Sequence, residues 1–227
     1  MNNPQQLTFP WSAKPKFIFR DFYINKNNLD LVNNLKDKDA GDIIILGKSH
    51  SGKTHLLQSL CNYYNEMNKS SFYLPITKAI EYDSSVLDSI NEMDLICIDD
   101  IDFLAQNNEW ERAIFNLINQ SQQTSSRIIF SSSQPLMDAA FDLQDLLSRL
   151  NKLLIYNLIN LQNEDINDAI DIIVKHNSIN IGKKEIQYIL NHTKRDIAHL
   201  KELLIEVDEL SLATKKKITI PLIKEII

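Results

Sequence analysis

The segment formed by residues 47–54, with the sequence GKSHSGKT, constrains the fold of this chain more than any other stretch. It matches the phosphate-binding pattern G-x-x-x-x-G-K-[ST] at every fixed position. The apolar run at residues 42–46 predicts a buried strand, and apolar residues at helical spacing follow the loop. A loop in this setting presents backbone N–H groups and the positive end of a helix to phosphate oxygens. The alternative, a glycine-containing turn that binds nothing, is disfavoured because the pattern and its context are complete.

The side chains of this phosphate-binding loop have distinct expected roles. Lys53 is predicted to reach the β- and γ-phosphates of a nucleoside triphosphate, and the Thr54 hydroxyl is predicted to bind Mg²⁺. The other residues predicted to contact the nucleotide in and beside the loop are Gly47, Ser49, His50, Ser51, Gly52 and His55.

Composition narrows the classes of function. A chain of 227 residues is long enough for an α/β domain and a smaller appended one. Its net charge of −6 argues against a large non-specific DNA-binding surface, which needs clustered cations. No apolar run approaches the ~18–20 residues that span a bilayer, and the polar first ten residues do not have the pattern of an export signal. We therefore expect a cytoplasmic protein with no membrane partner and with reduced, buried cysteines.

Strand and helix patterns alternate as far as about residue 160, which predicts right-handed crossovers and a mostly parallel sheet covered on both faces. One helical segment is expected across residues 80–90. After residue 161 only helical patterns remain, apart from a short run at residues 218–221. We therefore divide the chain into an extended arm (1–16), an α/β core (17–160) and a helical lid (161–227).

A pair of acidic residues ends the predicted strand at residues 95–101. Asp99 and Asp100 leave a buried strand that we expect beside the phosphate-loop strand, where a carboxylate can hold Mg²⁺ through water. We assign Asp99 to the metal and Asp100 to orienting or activating the attacking water; the alternative is two carboxylates at a solvent-exposed strand end. Ser133 ends the next strand and is our choice for a bond to the γ-phosphate or the attacking water, although serines there are also common in turns.

Two arginines are candidates for contact with phosphate. Arg149 is expected on a short helix that follows the last core strand, from which it would project towards a neighbouring subunit as an arginine finger. Arg195 begins the long lid helix and would fold back over the bound phosphates. Both are equally compatible with solvated arginines on a helix surface.

The N-terminal arm contains a possible linear peptide ligand, QLTFP, at residues 6–10. Gln6 offers a donor and an acceptor, while Leu7 and Phe9 would fill apolar pockets. Most pentapeptides of this kind are chain ends that pack on their own domain.

This set of motifs resembles the AAA+ ATPases, and within them the DnaA-like initiator clade. Residues 47–54 are similar to its Walker A motif, residues 98–101 to its Walker B motif and Ser133 to its sensor 1. Residues 147–150 look like its arginine-finger box, and residues 195–197 look like its sensor 2. The aromatic segment 19–28 is similar to its base-recognition segment, which assigns Tyr23 and Ile24 to nucleotide binding.

The match is closer still to the Hda-type regulators, DnaA-related proteins that inactivate the initiator, through residues 6–10, 109–117 and 217–226. The resemblance implies a AAA+ core with a helical lid, ATP or ADP with Mg²⁺, and docking of Gln6, Leu7 and Phe9 on the DNA polymerase sliding clamp. It also implies that Arg149 acts on ATP held by DnaA. No sequence-specific DNA binding is expected, because no residues remain after Ile227 for a helix-turn-helix domain.

Our leading hypothesis is therefore a nucleotide-bound regulator whose own nucleotide chiefly sets its conformation. The rival is an autonomous AAA+ ATPase, such as a helicase loader, that assembles with further copies of itself and pairs Asp100 with a neighbour's Arg149. The complete Walker A motif keeps this rival open. A small-molecule kinase is the weakest alternative, because a substrate-binding insertion is missing.

Overall fold

The computed structural model describes residues 17–193 and 197–227. The expected contacts of Gln6, Leu7, Phe9 and Arg195 therefore lie outside the described residues.

A five-stranded parallel sheet forms the centre of the described chain. The order across the sheet is β2-β3-β4-β1-β5. The α/β architecture predicted from the alternation of strand and helix patterns is confirmed. The strands are β1 (Ile43–Leu46), β2 (Ser71–Pro75), β3 (Leu95–Asp99), β4 (Arg127–Ser132) and β5 (Leu154–Asn157).

Helices precede and connect these strands, and only helices follow β5 in the described residues. The first group is α1 (Leu29–Lys36), α2 (Lys53–Glu66), α3 (Ile76–Ala79), α4 (Asn108–Thr124) and α5 (Gln144–Leu150). The second group is α6 (Ile166–His176), α7 (Lys183–His192), α8 (Ile197–Thr214) and α9 (Ile220–Ile223). No helix in the described part of the chain has both the length and the apolar character to cross a membrane.

Apolar side chains cover both faces of the sheet. On β1, Ile44 joins one buried layer together with Trp110 of α4, whereas Ile43 and Ile45 join the opposite layer with Leu57 of α2. Successive side chains of a strand point to opposite faces, so a continuous apolar strand is buried on both sides. A separate apolar cluster holds α6 to α9 together.

Three local expectations were wrong. Strand β4 lies between β1 and β3, so the strand that ends in Asp99 is not a direct neighbour of the phosphate-loop strand. The helix of Arg149 does not follow the last core strand, because β5 comes after it; β5 was missed since it has only four residues and lies exposed at the sheet edge. Within residues 80–90 only Ser84–Ser89 are helical, as a short 3-10 helix capped by the Asp83 carboxylate, because short polar side chains compete for backbone N–H groups.

The segment that precedes α1 is tied to the chain after β5 by one side chain. The Asn28 amide donates to the carbonyl of Ile159 at 2.8 Å and accepts from the N–H of Ile159 at 2.9 Å. These two bonds have the same pattern as a pair of backbone bonds between strands, and they give both the nitrogen and the oxygen of a buried amide a partner. It fixes residues 17–28 beside the start of the C-terminal helices.

A buried arginine joins the sheet to the end of α1. Arg127, at the start of β4, is 6% exposed, and its guanidinium donates to the carbonyls of Asn34, Leu35 and Asp37 at 2.7–3.0 Å. The last carbonyls of a helix lack partners within the helix, and a cation there also complements the helix dipole. Arg127 therefore closes the C-terminal end of α1 and holds it against the sheet.

We predict that Arg127→Leu lowers the free energy of unfolding by about 2–4 kcal/mol, because several buried carbonyls lose charged donors. Urea denaturation monitored by circular dichroism measures this change. The control is Arg112→Leu, which alters an exposed arginine on α4. Equal unfolding free energies for the two variants would contradict the role assigned to Arg127.

Candidate functional site

Two glycines shape the phosphate-binding loop. Gly52, which precedes α2, has φ +100°, and a Cβ there would lie 2.8 Å from the Phe22 ring. A Cβ on Gly47 would lie 2.6 Å from Ser51 Oγ and 3.2 Å from Leu158 Cβ. Both positions therefore need glycine, one for its backbone conformation and both for the close approach of a neighbour.

The side chain of Lys53 folds back over the phosphate-binding loop. Its ammonium group donates to the carbonyls of Gly47 at 2.7 Å and Lys48 at 3.2 Å, and it stands 3.9 Å from Asp100 Oδ1. The residue is 6% exposed. The buried ammonium group of Lys53 thus lies within the loop, and its contact with the phosphates of a nucleotide stays a prediction.

Asp99 is the hub of the site. Its Oδ2 accepts hydrogen bonds from Thr54 Oγ1 at 2.6 Å and from the Tyr73 hydroxyl at 2.7 Å, and its Oδ1 accepts from the Ser131 hydroxyl. Asp99 is 2% exposed. Burial, followed by the charge of Asp99, raises the pKa of Tyr73, so that this phenol stays a proton donor.

The two predicted metal ligands, Thr54 and Asp99, are therefore adjacent. Hydroxyl and carboxylate oxygens suit Mg²⁺, so these side chains fit the expected metal. The described residues contain no group of three or more His, Cys, Asp or Glu that could hold a metal. A metal ion here would accordingly need oxygens from water and from a bound phosphate, which is the usual way that Mg²⁺ is held.

Asp100 has an unusual backbone and a perturbed side chain. Its φ is +57°, and its N–H donates to Ser131 Oγ at 2.8 Å. Burial, together with the charge of Asp99, raises its pKa to about 6, although Lys53 acts in the opposite direction. A carboxyl group that exchanges its proton near neutral pH is suited to accepting a proton from water.

Ser131 and Ser133, at and just after the end of β4, have different hydrogen-bond partners. Ser133 lines the cavity described below, and its N–H and hydroxyl both donate to the buried carboxylate of Asp102. Ser131 is fully buried and joins Asp99 to the backbone of Asp100. The predicted residue, Ser133, therefore faces the cavity, whereas Ser131 organises the acidic pair.

A cavity of about 470 Å³ lies over the loop. Phe17 and Phe22 from the N-terminal segment and Ile173, Ile197 and Lys201 from the C-terminal helices contribute to its walls. An apolar compartment beside a cationic loop matches a ligand with an aromatic part and a phosphate part. The predicted site residues that line it are Ser49, His50, Ser51, Gly52, Lys53, Thr54, His55, Asp100 and Ser133.

Two predicted base-recognition residues do not line this cavity. The Tyr23 hydroxyl donates to Asp165 Oδ1 at 3.1 Å, and Ile24 packs against the apolar layer around α2. Tyr23 thus connects the N-terminal segment to the residue before α6. Their neighbours Phe17 and Phe22 occupy the cavity wall instead.

His55 holds the N-terminal segment on α2. Its Nε2 lies 3.1 Å from the Ile18 carbonyl, and its ring packs 5.0 Å from Phe17 and 5.4 Å from Phe22 between centroids. Burial lowers the pKa of His55 to about 4. The imidazole is therefore neutral near pH 7 and donates from Nε2 to the carbonyl.

Sequence reasoning missed an ion pair in the wall of the cavity. Lys201 Nζ on α8 lies 3.3 Å from Asp21 Oδ2, with the two side chains 11% and 7% exposed. Lys201 also lies 5.5 Å from the centre of the Phe17 ring. The only sign of this ion pair in the sequence is a lysine on the apolar side of a predicted helix, four residues after Ile197. Its partner Asp21 is 180 residues away in sequence, and no pattern links the two.

Arg149 lies outside this cavity. It occupies the last turn of α5 and is half-buried. Its side chain makes no hydrogen bond or ion pair with the described residues. The cation of Arg149 is thus not committed to another described group.

Comparison with protein families matches two parts of the chain. The model of the bacterial DnaA ATPase domain matches residues 14–160. The model described as Hda, lid domain, matches residues 165–227. Together these matches extend over nearly all of the described residues.

Solved structures show the same fold. Domain III of the replication initiation protein DnaA from Thermotoga maritima has a TM-score of 0.76 and 19% identity, over 92% of this chain and 95% of that chain. AMPPCP-bound DnaA from Aquifex aeolicus has a TM-score of 0.70 and 20% identity, over 88% of this chain and 67% of that chain. The protein DnaI has a TM-score of 0.53 and 14% identity, over 64% of this chain and 89% of that chain.

We predict that His55 makes the folded protein less stable in mild acid. Its pKa is about 4 in the folded chain against 6.5 as the ordinary value, so unfolding takes up a proton between these limits. Stability from this residue is complete above pH 7 and falls as the pH decreases towards 4, by roughly 2 kcal/mol between pH 7 and pH 5. Urea denaturation at a series of pH values measures the effect.

The matched variants are His55→Gln, which keeps a donor but does not titrate, and His176→Gln, which changes an exposed histidine on α6. We expect a flatter pH dependence only for His55→Gln. Parallel curves for both variants would refute the assignment.

Proposed function

This chain belongs to the family of bacterial DnaA ATPase domains, and on that premise we propose that it is a nucleotide-bound regulator of replication initiation. It docks on the DNA polymerase sliding clamp and promotes ATP hydrolysis by DnaA. The match of residues 165–227 to the Hda lid domain supports this assignment over that of an initiator. The observation that carries it is the position of Arg149 outside its own cavity, with no partner among the described residues.

The nucleotide in this proposal is ATP or ADP, with Mg²⁺. Lys53 would face the phosphates, and Thr54 with Asp99 would hold the metal, which supplies neutralisation of phosphate charge when bound. Phe17, Phe22 and the isoleucines of α6 and α8 would surround the base. Tyr23 and Ile24 support the base indirectly, by fixing the segment that carries Phe22, and Arg195 folds back over the phosphates.

Arg149 would act on a nucleotide held by a neighbouring molecule. An arginine supplied in trans stabilises the charge that develops on the transferred phosphoryl group and is worth ~10³–10⁵ in rate. Such a group must be free of intramolecular ion pairs and presented on a rigid element. A half-buried arginine in the last turn of a packed helix satisfies both conditions.

The arm would recruit this activity to replicated DNA. Gln6, Leu7 and Phe9 would bind the clamp as an extended peptide, with the amide reading backbone groups and the two apolar side chains filling pockets. In this arrangement residues 1–16 form the docking arm, residues 17–160 the core and residues 161–227 the lid.

A second candidate, an autonomous ATPase that assembles with further copies of itself, has one observation in its favour. Asp100 has a pKa of about 6 and lies 3.9 Å from Lys53, so the site contains a base of suitable strength. Turnover of ATP by the isolated protein that rises with protein concentration would favour this candidate.

We predict that Arg149→Ala reduces the stimulation of DnaA hydrolysis at least about 100-fold, because the transition-state cation is removed. The measurement is ATP hydrolysis by DnaA in the presence of clamp loaded on DNA. Lys152→Ala, three residues later and exposed, is the matched control and should stimulate as the wild type does. Equal stimulation by wild type and Arg149→Ala would exclude the assigned role.

We also predict that the double variant Leu7→Ala/Phe9→Ala weakens clamp binding at least about tenfold, since the two apolar side chains that would fill the pockets of the clamp are lost. Binding of purified clamp to the immobilised full chain measures this directly. The control is Thr8→Ala, between the two anchors. If wild type does not bind the clamp, docking through the arm is wrong.

A further inference from the structure

Glu111 on α4 is a fully buried carboxylate that joins two separate connections of the core. Its Oε1 accepts from the N–H of Gln106 at 2.9 Å and from the N–H of Asp142 at 3.2 Å. Its Oε2 accepts from the N–H of Leu143 at 2.6 Å. The residue has 0% exposure. One side chain therefore holds the loop before α4 and the loop before α5 in a fixed relation.

A buried charge of this kind is costly unless donors surround it. Three backbone N–H groups compensate the desolvation of Glu111, and no cation is needed to neutralise it. A glutamine of the same size could accept at one oxygen only, and its NH₂ group would face a backbone donor. The position thus requires a carboxylate rather than merely a polar side chain of similar volume.

The first connection leads directly to the candidate nucleotide site. It begins at Asp100, continues through a 3-10 helix, Ile101–Leu104, and reaches Gln106. Within it, the buried Asp102 carboxylate accepts two hydrogen bonds from Ser133, which lines the cavity. A ligand that moves either Asp100 or Ser133 would therefore move the segment at residues 100–106, through the backbone in the first case and through Asp102 in the second.

The second connection leads to Arg149. Asp142 and Leu143 immediately precede α5, and Leu143 is the residue at its N-terminal boundary. Leu146 and Leu150 of this helix pack in the apolar layer that contains Trp110, the neighbour of Glu111 on α4. A shift of the segment at residues 142–143 would consequently move α5 as a unit and displace Arg149.

We propose that Glu111 is a positioning residue that couples occupancy of the cavity to the placement of α5. The nucleotide bound by this chain then decides whether Arg149 is presented to a neighbouring molecule. The importance of this coupling for DnaA rests on the proposed function, but the coupling itself is a property of the isolated chain. With this coupling, nucleotide binding at the intact phosphate-binding loop regulates the chain even if the chain does not hydrolyse ATP.

The test is hydrogen–deuterium exchange of the purified full chain with no nucleotide, with ADP and Mg²⁺, and with ATP and Mg²⁺. In the wild type we expect nucleotide to slow exchange of the amides at residues 144–150 at least about fivefold. In Glu111→Gln this change should disappear, while nucleotide affinity measured by calorimetry stays within about threefold of wild type. Neither DnaA nor clamp is present, so a negative result is separate from failure of the proposed function.

Matched variants distinguish coupling from general loss of structure. Glu109→Gln lies two residues earlier on α4, is exposed and bonds to Ser84, so it should respond as the wild type does. Asp102→Asn, at the other end of the connection, should weaken the response as Glu111→Gln does. It also provides the test if Glu111→Gln does not fold.

Two results would overturn the inference. Exchange at residues 144–150 in the wild type that ignores both nucleotides would show that α5 is not linked to the cavity. A full response in folded Glu111→Gln would show that the link does not pass through this carboxylate.

Discussion

The buried carboxylate of Asp99 is the interaction on which the candidate site depends. It collects hydroxyl donors from α2, β2 and β4, namely Thr54, Tyr73 and Ser131. Strand β3 alone cannot bring these groups together, because the phosphate-binding loop belongs to a strand two positions away in the sheet. Ser131 bridges that gap from the intervening strand. Burial, followed by the charge of the same carboxylate, raises the pKa of Asp100, so Asp99 contributes to both the geometry and the proton affinity of the site.

The N-terminal segment and the C-terminal helices complete the cavity that the sheet only begins. Three polar side chains of residues 17–28 bond to the later part of the chain, namely those of Asp21, Tyr23 and Asn28. Each contact satisfies a polar group that would otherwise be buried alone or compete with water. These polar bonds therefore fix the segment that carries the apolar wall of the cavity, while the phosphate-binding loop forms the opposite, polar wall. A ligand must fit both halves at once.

Sequence patterns predicted the features of the site that depend on residues close together in the chain. The phosphate-binding loop, its lysine and the acidic pair lie within short segments whose chemistry is fixed by spacing, and the structure brings Lys53, Thr54 and Asp99 together. The order of strands could not be predicted in this way, because several apolar strands of similar composition are interchangeable by pattern alone. Tyr73, Lys201 and Glu111 were missed for a related reason. Each acts through a partner distant in sequence, and a tyrosine in a strand or a lysine on a helix carries no sign of that partner.

The contacts of residues 17–28 also determine when this molecule can become complete during synthesis. Their partners Ile159, Asp165 and Lys201 are between 131 and 180 residues further along the chain. A ribosome adds residues one at a time from the N-terminus, so the segment emerges first and waits longest for its bonds. Its aromatic side chains can pack on His55 and Tyr63 as soon as α2 has been made, but the bond between Asp21 and Lys201 must wait for α8. Closure of these long loops would then be a late step of folding, and a truncated chain that stops before α8 would carry the phosphate-binding loop without the enclosed cavity above it.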